Sequence, residues 1–400
     1  MELNFEASVK EWVAENLPDA LLGVDIGMYG PQSSAPEVLD AFELWRQRLA
    51  EKGWGAPTWP VEYGGAGLSD ADTKVINRAI RKAGSMNPIP YLAGMGVTMV
   101  GPTMLEFGTP EQCARHLPGM ASGEVRWCLG LSEPNAGSDL ASLATRAVRG
   151  EDGWVLNGQK TWTSGADKSQ WCGALVRTDP DAAKREGISF LMLPMDQPGI
   201  ETRPIRLIAG ESPFCETFVN DARAGSDDLL GDLNDGWSVI KRLLQHERQS
   251  QTNAPPTSTK VEKIEDLARQ YIGLGSDGTL ADSDLRSRLA DHLMEAAAHD
   301  LTIGRIMAEA KSGNVEVSAT ASILKNSATD VAQGRSELLV EIMGSQGLGW
   351  EGDAFTAGEL HTVREWLGGK AMSIYGGTYE VQKNIIAKNI LGLPETTQKG

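Results

Sequence analysis

Residues 131–140 read Leu131-Ser132-Glu133-Pro134-Asn135-Ala136-Gly137-Ser138-Asp139-Leu140 and follow a short run, Arg126-Trp127-Cys128-Leu129, with the character of a strand end. Ser132 and Ser138 carry hydroxyls, while Pro134, Asn135 and Gly137 bend a backbone tightly and leave N–H groups free to face an anion or a heteroaromatic ring. The stretch suits a cofactor clamp, although turn residues gather in every loop and an ordinary strand connection has the same composition. A second stretch, Leu156-Asn157-Gly158-Gln159-Lys160-Thr161-Trp162-Thr163-Ser164-Gly165-Ala166, follows closely. Its Asn157-Gly158, between Trp154-Val155-Leu156 and Lys160-Thr161-Trp162, is a hairpin signal that would deliver a Trp beside hydroxyls.

Around these two stretches the sequence has a period of two. Strands are expected at 154–156, 171–176, 188–193, 200–205 and 214–220, separated by turn clusters, which makes 125–232 a small antiparallel, barrel-like β-domain. The flanks have the helical period. Residues 1–124 read as helices at 5–15, 37–52, 71–83, 93–107 and 110–121, with the Gly- and Pro-rich 53–68 as a structured loop. Gly94-Met95-Gly96 is no dinucleotide fingerprint, because no strand precedes it and a third Gly is misplaced. Residues 233–400 carry long amphipathic segments at 236–251, 260–271, 284–312, 315–343, 357–368 and 379–390, as in a helical bundle or a subunit interface. Pro255-Pro256-Thr257-Ser258 ends the first of these and makes a linker. The chain is therefore an α+β protein in the order helical domain, β-domain, helical bundle.

Four hundred residues suffice for two or three structural units, and 41% hydrophobic with 23% charged residues is the balance of a soluble protein. The longest clean apolar run, Phe190 to Leu193, is far too short to cross a bilayer. The first residues, Met1 to Pro18, have acids where a signal peptide needs a basic start, so they read as an amphipathic helix and a cytoplasmic location is expected. A net charge of −17 argues against a nucleic-acid partner but not against acidic metabolites, which need only a few local cations. Cys113, Cys128, Cys172 and Cys215 show neither metal-ligand nor disulfide-scaffold spacing, which fits buried thiols; no metal site is expected.

On the helix that starts at 236, Trp237, Ile240, Leu244 and Glu247 share one face, with Leu243 adjoining. A carboxylate thus sits on the apolar stripe. Desolvation there raises its pKa toward that of a carbon-acid base; the alternative is a salt bridge to Arg248 or Lys241.

Taken together, Ser-Glu-Pro-Asn-Ala-Gly-Ser-Asp at 132–139 and Asn-Gly-Gln-Lys-Thr-Trp-Thr-Ser-Gly-Ala at 157–166 resemble the flavin-binding signatures of the acyl-CoA dehydrogenase family, and weaker similarity runs over nearly the whole chain. The family places its base either in a C-terminal Tyr-Glu-Gly-Thr motif or, in branched-chain and some long-chain members, on the helix after the β-domain just before an Arg. Here the C-terminal motif is Tyr375-Gly376-Gly377-Thr378, whereas the helix carries Glu247-Arg248. The resemblance therefore implies Glu247 as base, with Gly376 where the other Glu would stand, and Arg248, Tyr375, Gly377 and Ser138 beside the substrate.

The resemblance further implies an FAD cradle of Leu131, Ser132, Gly137 and Ser138, with Trp162 on the isoalloxazine and Ser164 replacing a Thr near flavin N5. Thr378 and Glu380 match C-terminal cofactor contacts, and Arg269 matches an Arg that reaches a neighbouring subunit's FAD. Ile272 stands in place of a Phe, and Glu341 in place of a Gln. The implied reaction is α,β-dehydrogenation of an acyl-CoA, with electrons passed to an electron-transfer flavoprotein, in a homotetramer or a heterotetramer with a related chain. A desulfinase or monooxygenase relative, a non-catalytic subunit of a heteromer and a DNA-associated member are the alternatives. The base and flavin residues speak against the silent subunit, and the acidic charge against the DNA-associated form.

Overall fold

A computed structural model describes residues 2–24, 26–27, 30–31, 35–210, 212–253, 263–311 and 317–394. Helices open the chain as expected: α1 (Glu2–Asn16), α2 (Pro36–Glu51) and α3 (Asp70–Lys82), with a ribbon of β1 (Ile26–Gly27) and β2 (Gly30–Pro31) between the first two. Ser69 and Asp72 form a reciprocal capping box that fixes the start of α3. Thr109 and Gln112 do the same for α6 (Pro110–Ser122), whose first residue is a Pro suited to that position.

The helix expected over 93–107 is broken. A short α4 (Ile89–Leu92) stops, a π turn occupies Gly96–Val100, and α5 (Gly101–Phe107) follows. The cause is pairing with the next segment: Trp127 N–H donates to the Ala93 carbonyl and Met95 N–H to the Trp127 carbonyl. Gly94 lies between them at φ +62, where a Cβ would meet the Trp127 carbonyl oxygen at 2.5 Å.

The middle of the chain supplies β3 (Trp127–Gly130), β4 (Arg146–Arg149), β5 (Gly153–Ser164), β6 (Trp171–Arg177), β7 (Ile188–Pro194), β8 (Ile200–Pro204), β9 (Phe214–Gly225) and β10 (Leu229–Leu230). They form one eight-stranded sheet in the order β10-β7-β6-β4-β5-β9-β8, with β3 also on β6. Two features differ from expectation. The sheet is not closed, so it is no barrel, and it is mixed, because β3 and β4 both run parallel to β6.

Asn157-Gly158 is not a hairpin turn. The strand runs straight through it, and the turn that joins β4 to β5 lies at 150–152. Asn157 instead marks an irregularity in the β5–β9 ladder, where its amide group exchanges hydrogen bonds with Asp221 at 2.9 and 3.0 Å. A second irregularity lies between Lys160 and Thr163. Asp221 and Trp162, one at each, adopt left-handed φ values of 51° and 59°. The Asn-Gly pair signals local freedom of the backbone, and here that freedom is spent on a bulge.

Packing groups residues 1–205 with 212–254, and 206–211 with 255–400. In the first unit, one core joins α5, α6, β6, β7 and α7 (Gly236–Asn253) through Met104, Leu117, Leu175, Phe190, Ile240 and Leu243. The second unit holds α8 (Ile264–Ile272), α9 (Ser283–Lys311), α10 (Val317–Ile342), α11 (Ala357–Gly369) and α12 (Tyr379–Asn389). Its apolar centre is Ile264, Ala268, Leu285, Leu289, Leu338, Leu339 and Ile342. The expected linker at 255–258 and the first residues of the helix expected from 260 lie outside the described residues.

Candidate active site

In the first unit, the 131–145 loop leaves β3 and doubles back at once, with Glu133 and Ala136 exchanging both backbone hydrogen bonds at 3.0 Å. Leu131 and Ser132 are half-buried, and Gly137 and Ser138 are exposed. The loop is joined to β5, since Thr161 N–H donates to the Ser132 carbonyl at 2.9 Å. One residue further on, Trp162 stands 55% exposed at φ 59°, its ring edge-on to Phe214. A large aromatic side chain in the left-handed region and half in water is strained and unhidden, a combination associated with function rather than packing. Ser164, at the end of β5, is half-buried opposite Phe214. The hydroxyls, the free loop backbone and the presented indole make a donor set that fits the pyrimidine edge and one face of a flavin.

Two charged residues of these stretches, Glu133 and Lys160, form a buried salt bridge at 2.8 Å. Burial alone would raise the Glu133 pKa, but the Lys160 charge and hydrogen bonds from Lys160, Thr145 and Ala144 hold it below the usual carboxylate range. Reading the motifs for hydroxyls and the aromatic missed this pair. The available signal was a lone cation, Lys160, in one stretch and two acids, Glu133 and Asp139, in the other.

Next to these strands, His116 of α6 packs edge-on against Trp127 of β3 at 5.1 Å and Trp171 of β6 at 4.6 Å. Burial, and then the neighbouring Arg115, lower its pKa to about 4. Arg115 Nε donates to His116 Nε2 at 2.9 Å, which requires the neutral ring with a bare Nε2. Arg115 also holds Asp227 and Asp228, each at 2.6 Å.

On α7, Val239, Ile240 and Leu243 are buried and Trp237 and Leu244 partly so; Glu247 continues that face and is itself partly buried. One turn earlier, Arg242 pairs with Glu106 of α5 at 2.5 Å, and His246 joins the same carboxylate at 3.1 Å. These contacts tie the middle turns of α7 to α5. The Arg248 side chain lies outside the described residues.

In the second unit, Tyr375, Gly376 and Gly377 make a turn with both glycines left-handed, at φ 64° and 89°. The Gly376 carbonyl accepts from Gln382 Nε2 at 2.8 Å, and Thr378 caps α12 by accepting from Val381 N–H at 3.2 Å. Tyr375 is 53% exposed, and Glu380 is exposed on the first turn of α12. Tyr379 donates to Asp330 at 2.5 Å; burial and that partner push its pKa to about 12. Arg269 pairs with Asp266 on its own helix at 2.8 Å. Glu341 is held by Arg288 through two bonds of 2.7 and 2.6 Å, so this acid is matched locally by a cation of α9.

Among the described residues, no group of His, Cys, Asp or Glu is arranged to hold a metal ion, and no helix is long and apolar enough to cross a membrane. All four cysteines are buried and free.

Three domain families match in chain order: the acyl-CoA dehydrogenase N-terminal domain over residues 4–124, the middle domain over 128–222 and the C-terminal domain over 234–391. The acyl-CoA dehydrogenase IpdE1 of Mycobacterium tuberculosis is 35% identical over 392 residues, covering 98% of this chain and 97% of that protein. Among solved structures, the Tcur3481-Tcur3483 steroid ACAD is 28% identical with a TM-score of 0.72, over 98% of this chain and 97% of that one. The ChsE4-ChsE5 complex of Mycobacterium tuberculosis is 26% identical with a TM-score of 0.71, with the same coverage of 98% and 97%. The succession of helices, sheet and helices is the fold these domains share, the family implies a flavin cofactor, and the chain belongs to the acyl-CoA dehydrogenase family of oxidoreductases.

Proposed function

We propose that the protein is an FAD-dependent dehydrogenase that converts an acyl-CoA thioester to its trans-2-enoyl-CoA, with Glu247 as the base. One observation carries the assignment of the base. Glu247 extends the buried face of α7, while the Tyr375–Thr378 turn offers glycine at 376 and no carboxylate. Bound FAD supplies the hydride acceptor. Glu247 takes the α-proton, and a backbone N–H at Gly376 or Gly377 polarises the thioester carbonyl. Leu131, Ser132, Gly137, Trp162 and Ser164 hold the flavin ring from the first unit and Ser138 lies toward the pyrophosphate; Thr378 and Glu380 serve the rest of the cofactor, and Arg269 reaches the FAD of a neighbouring subunit. Ser138, Arg248, Tyr375 and Gly377 border the substrate.

An electron-transfer flavoprotein is the proposed acceptor of the electrons, and the cytoplasm the proposed location. The three-part division at 1–124, 125–232 and 233–400 belongs to the same proposal. Two similar structures are associations of two named chains, which favours a heterotetramer with a related chain over a homotetramer. One of them is described as a steroid ACAD, and a glycine at 376, where a Cβ would meet open space, suits a bulky acyl group.

The test is anaerobic mixing with straight, branched and steroid acyl-CoAs while the flavin absorbance is followed. Glu247→Gln keeps shape and hydrogen bonding but cannot take the proton, so flavin reduction should slow by roughly 10²- to 10⁴-fold with FAD content and ligand binding retained. Bleaching at the wild-type rate would assign the base elsewhere. A product that has not lost two hydrogens would point to the desulfinase or monooxygenase class.

A further inference from the structure

Glu133 and Lys160 take no part in the proposed chemistry. Among the described ion pairs, theirs alone has both side chains under one tenth exposed, at 8% and 2%. The ammonium has three donors and uses all of them, to Glu133 Oε1 at 2.8 Å, the Leu175 carbonyl at 2.6 Å and the Leu131 carbonyl at 3.3 Å. The carboxylate is equally committed. Its Oε1 also accepts from Thr145 N–H at 2.9 Å and its Oε2 from Ala144 N–H at 2.6 Å.

One pair of side chains therefore ties together the first residue of the loop, its last two, and strands β5 and β6. A second anchor holds the loop's far side, where Arg177 donates to the Ala141 carbonyl at 2.7 Å. Desolvation consumes most of what a buried ion pair gains from its own attraction, so such a pair contributes defined geometry more than net stability. The geometry defined here is the spacing between two flavin-facing elements. Ser132 adjoins Glu133, Trp162 lies two residues beyond Lys160, and the Thr161–Ser132 bond spans the same gap.

We propose that Glu133 and Lys160 are the positioning pair of the flavin site: they preset the distance between the 131–138 loop and Trp162, so that FAD meets a cradle already formed. This rests on the FAD reading above. A cradle formed in advance spares the ordering of a loop at the moment of binding, and the benefit appears as cofactor affinity.

The experiment compares FAD dissociation, flavin visible absorption and melting temperature in the purified wild type, Glu133→Gln, Lys160→Met and the milder Glu133→Asp. Glu133→Asp keeps the charge but draws it back by one methylene. In the first two variants, FAD should dissociate at least about tenfold more readily, as when outer supporting contacts of a bound group are removed. The flavin band should lose its vibronic shoulder at temperatures where circular dichroism still reports the folded protein. Glu133→Asp should lie between them and the wild type, and it decides the matter if the other two do not fold. Variants that melt earlier yet keep wild-type FAD affinity and band shape would reduce the pair to core packing and overturn the inference. A wild type that binds no FAD would fail the control and remove the proposed function itself.

Discussion

The 131–145 loop and the 374–382 turn carry the same kinds of residue, glycines and hydroxyls in a tight backbone, and both supply proposed cofactor or substrate contacts, yet the braces that hold them differ in burial. The loop is sewn into the sheet by a buried ion pair and by the Arg177 guanidinium. The turn is held by its own helix cap, by Gln382 six residues along the chain, and by the exposed bond from Tyr379 to Asp330 of α10. Its first residues, Ile374 and Tyr375, are 66% and 53% exposed. Two motifs of equal weight in a sequence are thus braced by different means: one by a buried ion pair, the other by its helix cap and by bonds that stay at the surface.

The largest expected effect tests that contrast directly. Removing one partner of the buried pair, by Lys160→Met or Glu133→Gln, should cost roughly 3–5 kcal/mol. Gln382→Ala should cost only about 1 kcal/mol, one ordinary hydrogen bond. Urea unfolding of the three variants measures both, and equal losses would erase the distinction.

A second test uses pH at the strands from which the loop departs, where Trp127 and Trp171 pack on His116. His116 is held neutral in the folded protein down to about 4, whereas the unfolded chain protonates it near 6.5. Its contribution is therefore fully present above pH 6.5 and is lost as pH falls through the window toward 4. The loss is about 3 kcal/mol, read as a falling melting temperature. His116→Gln should flatten that part of the profile; an unchanged slope would exclude His116 as its cause.

The same substitution placed on β5 against the end of the loop, and in the turn, sharpens the comparison further. At Gly158 a Cβ would meet Thr145 Oγ1 at 2.5 Å and Thr145 Cα at 2.7 Å, so Gly158→Ala should cost about 3 kcal/mol by overpacking. At Gly376 the space is open and only the left-handed φ resists, so Gly376→Ala should cost about 1 kcal/mol. Paired melting curves decide it. The smallest effect has the opposite sign: Trp162→Gly relieves a left-handed backbone and should stabilise the FAD-free protein by about 1 kcal/mol, while weakening FAD retention. Wild-type retention in that variant would make Trp162 a packing residue.

Much of this was legible in the residues. The change from helical to two-residue period and back located the sheet, and the helices expected at 71–83 and 110–121 form as Asp70–Lys82 and Pro110–Ser122, started by the caps of Ser69 and Thr109. What local pattern could not reveal were events decided by partners far along the chain. The helix over 93–107 broke because Trp127 claims the backbone of Ala93 and Met95. Asn157-Gly158 looked like a turn because a bulge draws on the same backbone freedom, and only Asp221 opposite tells the two apart. Likewise Glu133 and Lys160 were visible as letters, but a charge reads as surface until its burial is known.

The two irregularities of the β5–β9 ladder have a joint consequence. Leu156 faces Ala222, Gly158 faces Val219, Lys160 faces Thr217 and Thr163 faces Cys215. Between the first and second of these pairs β9 has one residue more than β5, and between the third and fourth β5 has one more than β9. The ladder slips by one step at Asp221 and slips back at Trp162, so its two ends keep a common phase. Neither extra residue can be lost alone without throwing one end of the ladder out of step, whereas losing both together would restore an uninterrupted ladder. Chain length in this part of the protein is thus constrained as a matched pair of insertions, and Trp162 is the residue that closes the account.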